Sequence, residues 1–211
     1  MLLFTLLVAG CIGGGEELPD APQLLTRSAD TMAAVRTVRL TLDVEGTVSG
    51  FSVQGATAQV TREGDAAGTV TLTQGEQVTE LKFVFAGGTL YLQGPTGGFR
   101  EVPAALASSV YDPTVILNPQ KGIPTLLRSG TDAVTEAREE VGGVDAYRVR
   151  ATFPGTVLSG LIPGMVQDTN GLVWIGVHEA RLVQARFPLP NGVASVRLSD
   201  FDAPANITAP Q

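Results

Sequence analysis

Thr37-Val38-Arg39-Leu40-Thr41-Leu42-Asp43-Val44-Glu45 alternates polar and apolar side chains without a break. Successive side chains of a β-strand point to opposite faces. Val38, Leu40, Leu42 and Val44 therefore make one buried face and Arg39, Thr41, Asp43 and Glu45 a wet one, as in an antiparallel strand. The same period continues downstream. Phe51 and Val53 keep one phase while Ala56, Ala58 and Val60 take the other, and the slip at Gly55 predicts a β-bulge. A third strand over 68–73 turns Val70 and Leu72 inward, and a fourth covers 78–85. Gly87-Gly88 has the chemistry of a two-residue hairpin leading into Thr89-Leu90-Tyr91-Leu92. Five short sequential strands make a meander.

A second run of strands begins near Ala133. Gly142-Gly143 marks a tight turn, after which Tyr147, Val149, Ala151 and Phe153 alternate with Arg148, Arg150 and Thr152. Further strands are expected over 172–177, 181–187 and 193–201, the last two joined across Pro190-Asn191-Gly192. Helical signals occur at three places. Asp20 is an N-cap with Pro22 in the first turn, and Ala21, Leu25, Ser28, Met32 and Val35 recur at helical spacing, predicting one amphipathic helix over 21–34. In the middle, Asp112 caps a short helix with Pro113 at its first position, and a second covers 123–127. The apolar segment 154–166, broken by Gly155, Gly160, Pro163 and Gly164, reads as a short, adaptable helix or lid. About ten strands in two runs, with few short helices, define an α+β domain on one large antiparallel sheet, curved by twist and bulges, its concave face covered by the apolar helical segments.

The N-terminal segment supplies an address. Leu7-Val8-Ala9-Gly10-Cys11 ends an apolar run too short to span a bilayer, and the small residues before the only cysteine form a lipobox. Cleavage there makes Cys11 the first mature residue and a lipidation site. The alternative is an ordinary secretory signal with Cys11 incidental. No Lys or Arg precedes the apolar run. The expected organisation is a signal peptide over 1–10, a Gly-rich acidic tether over 11–19, one domain over 20–205 and a frayed tail over 206–211. This predicts a chain held by its lipid anchor at the extracytoplasmic face of the cell membrane.

Composition removes several function classes. The formal net charge is -7, opposite to the basic surface that binding to nucleic acid phosphates requires. It also argues against a polybasic membrane patch, leaving the Cys11 lipid as the attachment. Hydrophobic residues are 44% but aromatics only 6%, so the core is built from small side chains and an incompletely filled interior is open to it. A nucleophile triad or metal site needs histidines, cysteines or buried carboxylates in number. The one histidine, His178, falls in a turn. Glu139-Glu140 and Asp200/Asp202 lie at strand ends as solvated faces, and Trp174 belongs to a core. Gly13-Gly14-Gly15 lacks the strand-to-helix setting of a phosphate loop. Asn206-Ile207-Thr208 matches a glycosylation sequon of the kind expected by chance. No catalytic residue, metal or cofactor is expected, and an envelope hydrolase is disfavoured.

What remains is apolar surface without chemistry. Val70, Leu72, Phe83, Phe85, Leu90 and Leu92 face inward, opposed by Ile116, Leu117, Leu126, Leu127, Leu161, Ile162 and Met165. Patterning alone favours a close-packed core. The alternative is a dry cavity for acyl chains, loosely covered by helices that Pro and Gly interrupt. Lys121 and Arg128 stand near these helices, as solvated residues or as partners for an anionic headgroup.

Leu90-Tyr91, Phe99-Arg100-Glu101-Val102-Pro103 and above all Tyr111-Asp112-Pro113-Thr114-Val115-Ile116-Leu117-Asn118-Pro119-Gln120-Lys121-Gly122 resemble the LppX/LprA/LprF/LprG envelope lipoproteins of mycobacteria and their relatives. The resemblance continues through Val173-Trp174-Ile175 and Leu182-Val183-Gln184-Ala185. It implies a half-barrel sheet similar to LolA and LolB, with helices over its concave face. It also implies a cavity for multi-acylated glycolipid or triacylglycerol cargo moved within the cell envelope, often beside a membrane transporter. Carried onto this chain, Val70, Leu72, Ile116 and Leu117 would line that cavity. The competing expectation is a structural or signalling lipoprotein with a filled core, accessory to a transporter or sensor.

Overall fold

The computed structural model describes residues 17–46, 53–74, 77–103, 112–162 and 164–211. Cys11, Phe51, Tyr111 and Pro163 lie outside them. The chain enters through helix α1, Ala21–Ala34, which begins where expected: the Asp20 side chain accepts from the Gln23 N–H at 3.0 Å and Pro22 occupies the first turn. Leu24, Leu25, Ser28, Ala29 and Met32 are buried along one stripe. Five strands follow as a meander, β1 Thr37–Gly46, β2 Val53–Thr61, β3 Ala66–Gln74, β4 Gln77–Ala86 and β5 Thr89–Gln93, with β6, Arg100–Glu101, added at the edge.

The middle contains a 3-10 turn, Pro113–Val115, capped by the Asp112 carboxylate on the Thr114 N–H at 2.9 Å, and helix α2, Ile123–Arg128. The second run of strands is β7 Thr131–Val141, β8 Val144–Phe153, β9 Thr169–Gly176, β10 Leu182–Leu189 and β11 Gly192–Ser199, with helix α3, Gly155–Leu161, between β8 and β9.

Among the described residues, eleven strands form one antiparallel sheet in the order β6-β5-β4-β3-β2-β1-β11-β10-β9-β8-β7. The two meanders join by β1 pairing with β11, and β6 and β7 remain as separate edges, so the sheet curls into a half-barrel and does not close. The expected slip at Gly55 is present as a register shift between Val53 and Gly55 against β3. Gly87-Gly88 and Gly142-Gly143 make two-residue turns, all four with positive φ.

The helices lie against one face of the sheet. Leu25, Ala29, Met32, Leu117, Leu126 and Leu127 form one core with Val38, Val60, Val149, Phe153, Val173 and Phe187. Phe153 and Phe187 meet edge to face, ring centroids 5.5 Å apart. Beyond Ser199 the chain has no regular structure, but its first carbonyls are held: Thr37 Oγ1 donates to Ala203 at 2.6 Å and Gln59 Nε2 to Pro204 at 3.2 Å.

Candidate functional site

Register decides which side chains share the concave face. Val38, Leu40 and Leu42 of β1 stand opposite Val60, Ala58 and Ala56 of β2, and those opposite Ala66, Gly68 and Val70 of β3. Val70, Gly68 and Ala66 then oppose Leu81, Phe83 and Phe85 of β4, and Phe83 and Phe85 oppose Leu92 and Leu90 of β5. In the other direction Leu42 opposes Val196, Val196 opposes Ala185, and Ala185 opposes Val173. The result is an apolar surface without a charged group from β5 across to β8. Alternation in single strands predicted the inward residues one strand at a time. The antiparallel register assembles them into a continuous surface.

Burial along that surface is graded. Val38, Ala58, Val60 and Ala66, at the end of the sheet where β1 starts, are 0–6% exposed within the core that the helices share. Towards the other end of the same strands Leu42, Ala56, Val70, Leu72 and Leu81 are only half-buried, as is Leu92 on β5. Phe83 and Phe85 still pack against the core, whereas Val70, Leu72 and Leu92 lie beyond it among the described residues. On the helical side, Ile116, Leu117, Leu126 and Leu127 are buried within the core, Met165 is 6% exposed, and Leu161 and Ile162 lean against it half-buried. Leu90, 6% exposed, closes the sheet side near the β4–β5 turn.

The thirteen expected lining residues thus divide in two. One group fills a packed core and the other covers a half-open apolar surface on β3, β4 and β5. Leu81 continues that surface and was not singled out from the sequence, although it is in phase with Phe83 and Phe85 on one strand. Leu40, Leu42 and Ala56, whose phase alternation already gave, and Val196, which was not singled out, are placed beside it by the cross-strand register. Small residues keep the surface low where β2 meets β3. A Cβ at Gly68 would come within 1.9 Å of the Thr57 carbonyl oxygen, so only glycine fits that close approach.

The densest ion-pair network among the described residues lies on β7–β9, with further pairs at Arg39–Asp200, Arg128–Asp30 and Arg181–Asp202. Arg150 Nε donates to Glu136 at 2.7 Å and Arg148 Nη1 to Glu139 at 3.1 Å. Trp174 Nε1 donates to Glu139 Oε1 at 2.6 Å, and Trp174 itself is buried in a small second cluster with Ala146 and Val183. Trp174 is therefore core, as expected, but on the outer side of the sheet. The hydrogen bond from Arg150, reinforced by the charges of Arg150 and Arg148, holds the Glu136 carboxyl below its ordinary range against a smaller opposing effect of burial. Arg138 does the same for Asp145. His178 is exposed. Among the described residues no three His, Cys, Asp or Glu side chains gather as metal ligands, and no helix is long and apolar enough to cross a membrane. An open groove along α1, lined by Pro22, Gln23, Thr26, Arg27, Asp30 and Thr31, lies on the helix's outer side away from the apolar face.

An unclosed antiparallel half-barrel, apolar within and ionic without, with helices laid over part of its hollow, defines a class of single-sheet proteins. Within it, the chain belongs to the LppX_LprAFG lipoprotein family, whose profile matches residues 20–207. The lipoarabinomannan carrier protein LprG of Mycolicibacterium smegmatis is 32% identical, the match covering 97% of this chain and 90% of that protein. The protein of the same name from Mycobacterium leprae is 28% identical over 98% and 91%. Among solved structures, LprF from Mycobacterium bovis superposes with a TM-score of 0.83 at 22% identity, covering 93% of this chain and 99% of LprF. LppX from Mycobacterium tuberculosis gives 0.68 at 19% identity, covering 89% and 98%. These two likenesses establish the fold.

Proposed function

We propose that this protein is a membrane-anchored carrier that holds the acyl chains of a lipid or glycolipid against the concave face of β3–β5 and moves it within the cell envelope, making and breaking no bond. The observation that carries this reading is the uncharged surface at Val70, Leu72, Phe83 and Leu92, only half-buried where the packed core ends. Each methylene removed from water there is worth about 0.8 kcal/mol, so one long acyl chain supplies binding without any polar contact. Glycolipid cargo suits such a site, because the acyl chains enter the hollow and the glycan stays in water. The LprG relatives carry a name of that kind. Cys11 is the anchor in this reading, with 1–10 removed and 11–19 as tether. A transporter partner belongs to the same proposal.

Mass spectrometry of organic extracts from the protein purified from its own host tests the reading. Co-purifying acylated lipid is the expected result. A lipid-free protein would leave the accessory lipoprotein with a filled core in its place. Val70→Trp should lower the lipid load by roughly half by filling the half-open surface, with the fold retained because Val70 lies outside the packed core. An unchanged load removes Val70 from the wall.

A further inference from the structure

Residues 203–211 have no regular secondary structure, yet they are laid on the sheet. Thr37 precedes inward-facing Val38 on β1, and Gln59 stands between inward-facing Ala58 and Val60 on β2, so both point to the convex face. Thr37 Oγ1 donates to the Ala203 carbonyl and Gln59 Nε2 to the Pro204 carbonyl. Successive carbonyls are thus held by successive strands, and the segment crosses from β11 over β1 and β2 toward β3. Its burial has a period of two: Ala203, Ala205 and Ile207 are half-buried, while Pro204, Asn206 and Thr208 are exposed. An extended segment that turns every second side chain to a surface has this pattern. The register shows what lies ahead of it. Gln59 opposes Ala67 of β3, Ala67 opposes Val84 of β4, and Val84 opposes Tyr91 of β5. These residues form a half-buried apolar row on the convex face and, among the described residues, belong to neither packed cluster. The adjacent row, Thr69, Lys82 and Gln93, is polar. From Pro204 to Ile207 is about 10 Å of extended chain, and two strand spacings of about 4.8 Å lead from β2 to β4.

We propose that residues 203–211 are a strap across the convex face, with Ile207 seated on the row of Ala67, Val84 and Tyr91 as a positioning residue that braces β3–β5 and keeps the hollow in front of them open. The proposal rests on the carrier reading for its purpose, and on hydrogen bonds, burial and register for its placement. A brace matters most on these strands because Val70, Leu72 and Leu92 on their concave side lie beyond the packed core. The convex side is the outer arc of a curved sheet, and that arc lengthens when the sheet curls further. A segment that is already extended does not lengthen, so the strap opposes the curling that would shut an empty hollow. A surface already held in its binding shape also loses less freedom when cargo arrives.

The test compares the lipid-free parent chain with a variant ending at Pro204, with Ile207→Asp and with Ile207→Leu. Ending at Pro204 keeps the Asp202 contacts and both held carbonyls. Hydroxyl-radical footprinting read by mass spectrometry reports the seat, amide exchange the brace, and uptake of dipalmitoyl phosphatidylethanolamine with a fluorescent headgroup the hollow. In the shortened chain and in Ile207→Asp, labelling of Tyr91 is expected to rise roughly threefold and exchange in β3–β5 roughly fivefold, as loss of a partly buried isoleucine implies. Trp174 and β8–β10 should stay unchanged, and probe uptake should fall by roughly threefold with the loss of the preformed hollow. Ile207→Leu keeps an apolar side chain of the same volume and should match the parent in all three readouts. Unchanged labelling of Tyr91 overturns the proposal by removing the seat. Exchange that rises equally in every strand overturns it too, by making the segment a general stabiliser. Faster exchange in β3–β5 with unchanged uptake, or an Ile207→Leu protein that behaves like Ile207→Asp, also overturns it. The two readings fail separately: a parent that takes up the probe while its variants leave Tyr91 unchanged ends the strap alone. A parent that neither takes up the probe nor yields lipid on extraction ends the carrier reading alone, and Tyr91 labelling with β3–β5 exchange still decides the strap.

Discussion

Asp202 joins three parts of the chain through one residue. Its Oδ1 accepts from the Arg36 N–H at 2.8 Å and its Oδ2 from Arg181 Nη2 at 3.2 Å, while its own N–H donates to the Thr37 carbonyl at 2.9 Å. Arg36 is the link between α1 and β1, and Arg181 precedes β10, where its guanidinium also lies 5.0 Å from the centre of the Phe201 ring. Asp202 has φ +60°, a left-handed conformation that aspartate tolerates better than most residues. Asp202→Ala removes two acceptors and leaves alanine in that conformation, so a loss of about 1–3 kcal/mol is expected from the shift of the urea midpoint. Asp202→Asn should lose less, because asparagine also tolerates left-handed backbone and keeps one acceptor. From the sequence Asp200, Asp202 and Glu139 read as solvated faces, which their partial exposure supports. Their partners were hidden because Arg36 and Asp202 are 166 positions apart, and Trp174 on β9 reaches Glu139 on β7 across the intervening β8.

The helices and strands were legible in proportion to how local their causes are. Helix α1 begins and ends at Ala21 and Ala34 as its cap and apolar spacing imply, and the hairpins at Gly87-Gly88 and Gly142-Gly143 follow from residues that accept positive φ. The final strand was expected to reach Phe201 but stops at Ser199, because Asp200 turns into left-handed backbone to bring Phe201 and Asp202 against Arg181. The very short β6 gave no alternation to read and exists only through pairing with Tyr91 and Leu92. Two glycines make opposite tests of what an element needs. In α3 nothing lies within 4 Å of a Cβ built on Gly160, so Gly160→Ala should stabilise by about 0.5–1 kcal/mol, visible as a higher denaturation midpoint. Gly68→Val should destabilise strongly, by about 2 kcal/mol or more, because β2 must move away from β3 to admit the side chain.

For the molecule as a whole, the eleven strands divide into a firmly covered half and a lightly covered one. Val149, Val173, Ile175 and Phe187 on β8–β10 are 0–1% exposed beneath the helices, while most of the apolar face of β3–β5 keeps partial contact with water. Amide exchange in lipid-free protein should therefore be fastest in β3–β5 and slowest in β8–β10, and bound lipid should slow β3–β5 selectively. Deuterium uptake followed by mass spectrometry checks both, and uniform slowing would locate the lipid elsewhere. Patterning left a filled core and a hollow as alternatives because apolar side chains alternate in the same way in both. The structure has a packed core in one half and a half-open apolar surface in the other, and register together with burial marks where one gives way to the other. The unjoined edges at β6 and β7 have a mechanical consequence. A closed barrel has a circumference set by strand number and stagger, so swallowing a wider object means tearing a seam. A sheet with two free edges has no seam, and in the proposed carrier role small changes of twist shared among ten strand pairs would let it spread or tighten like a cupped hand around loads of different girth.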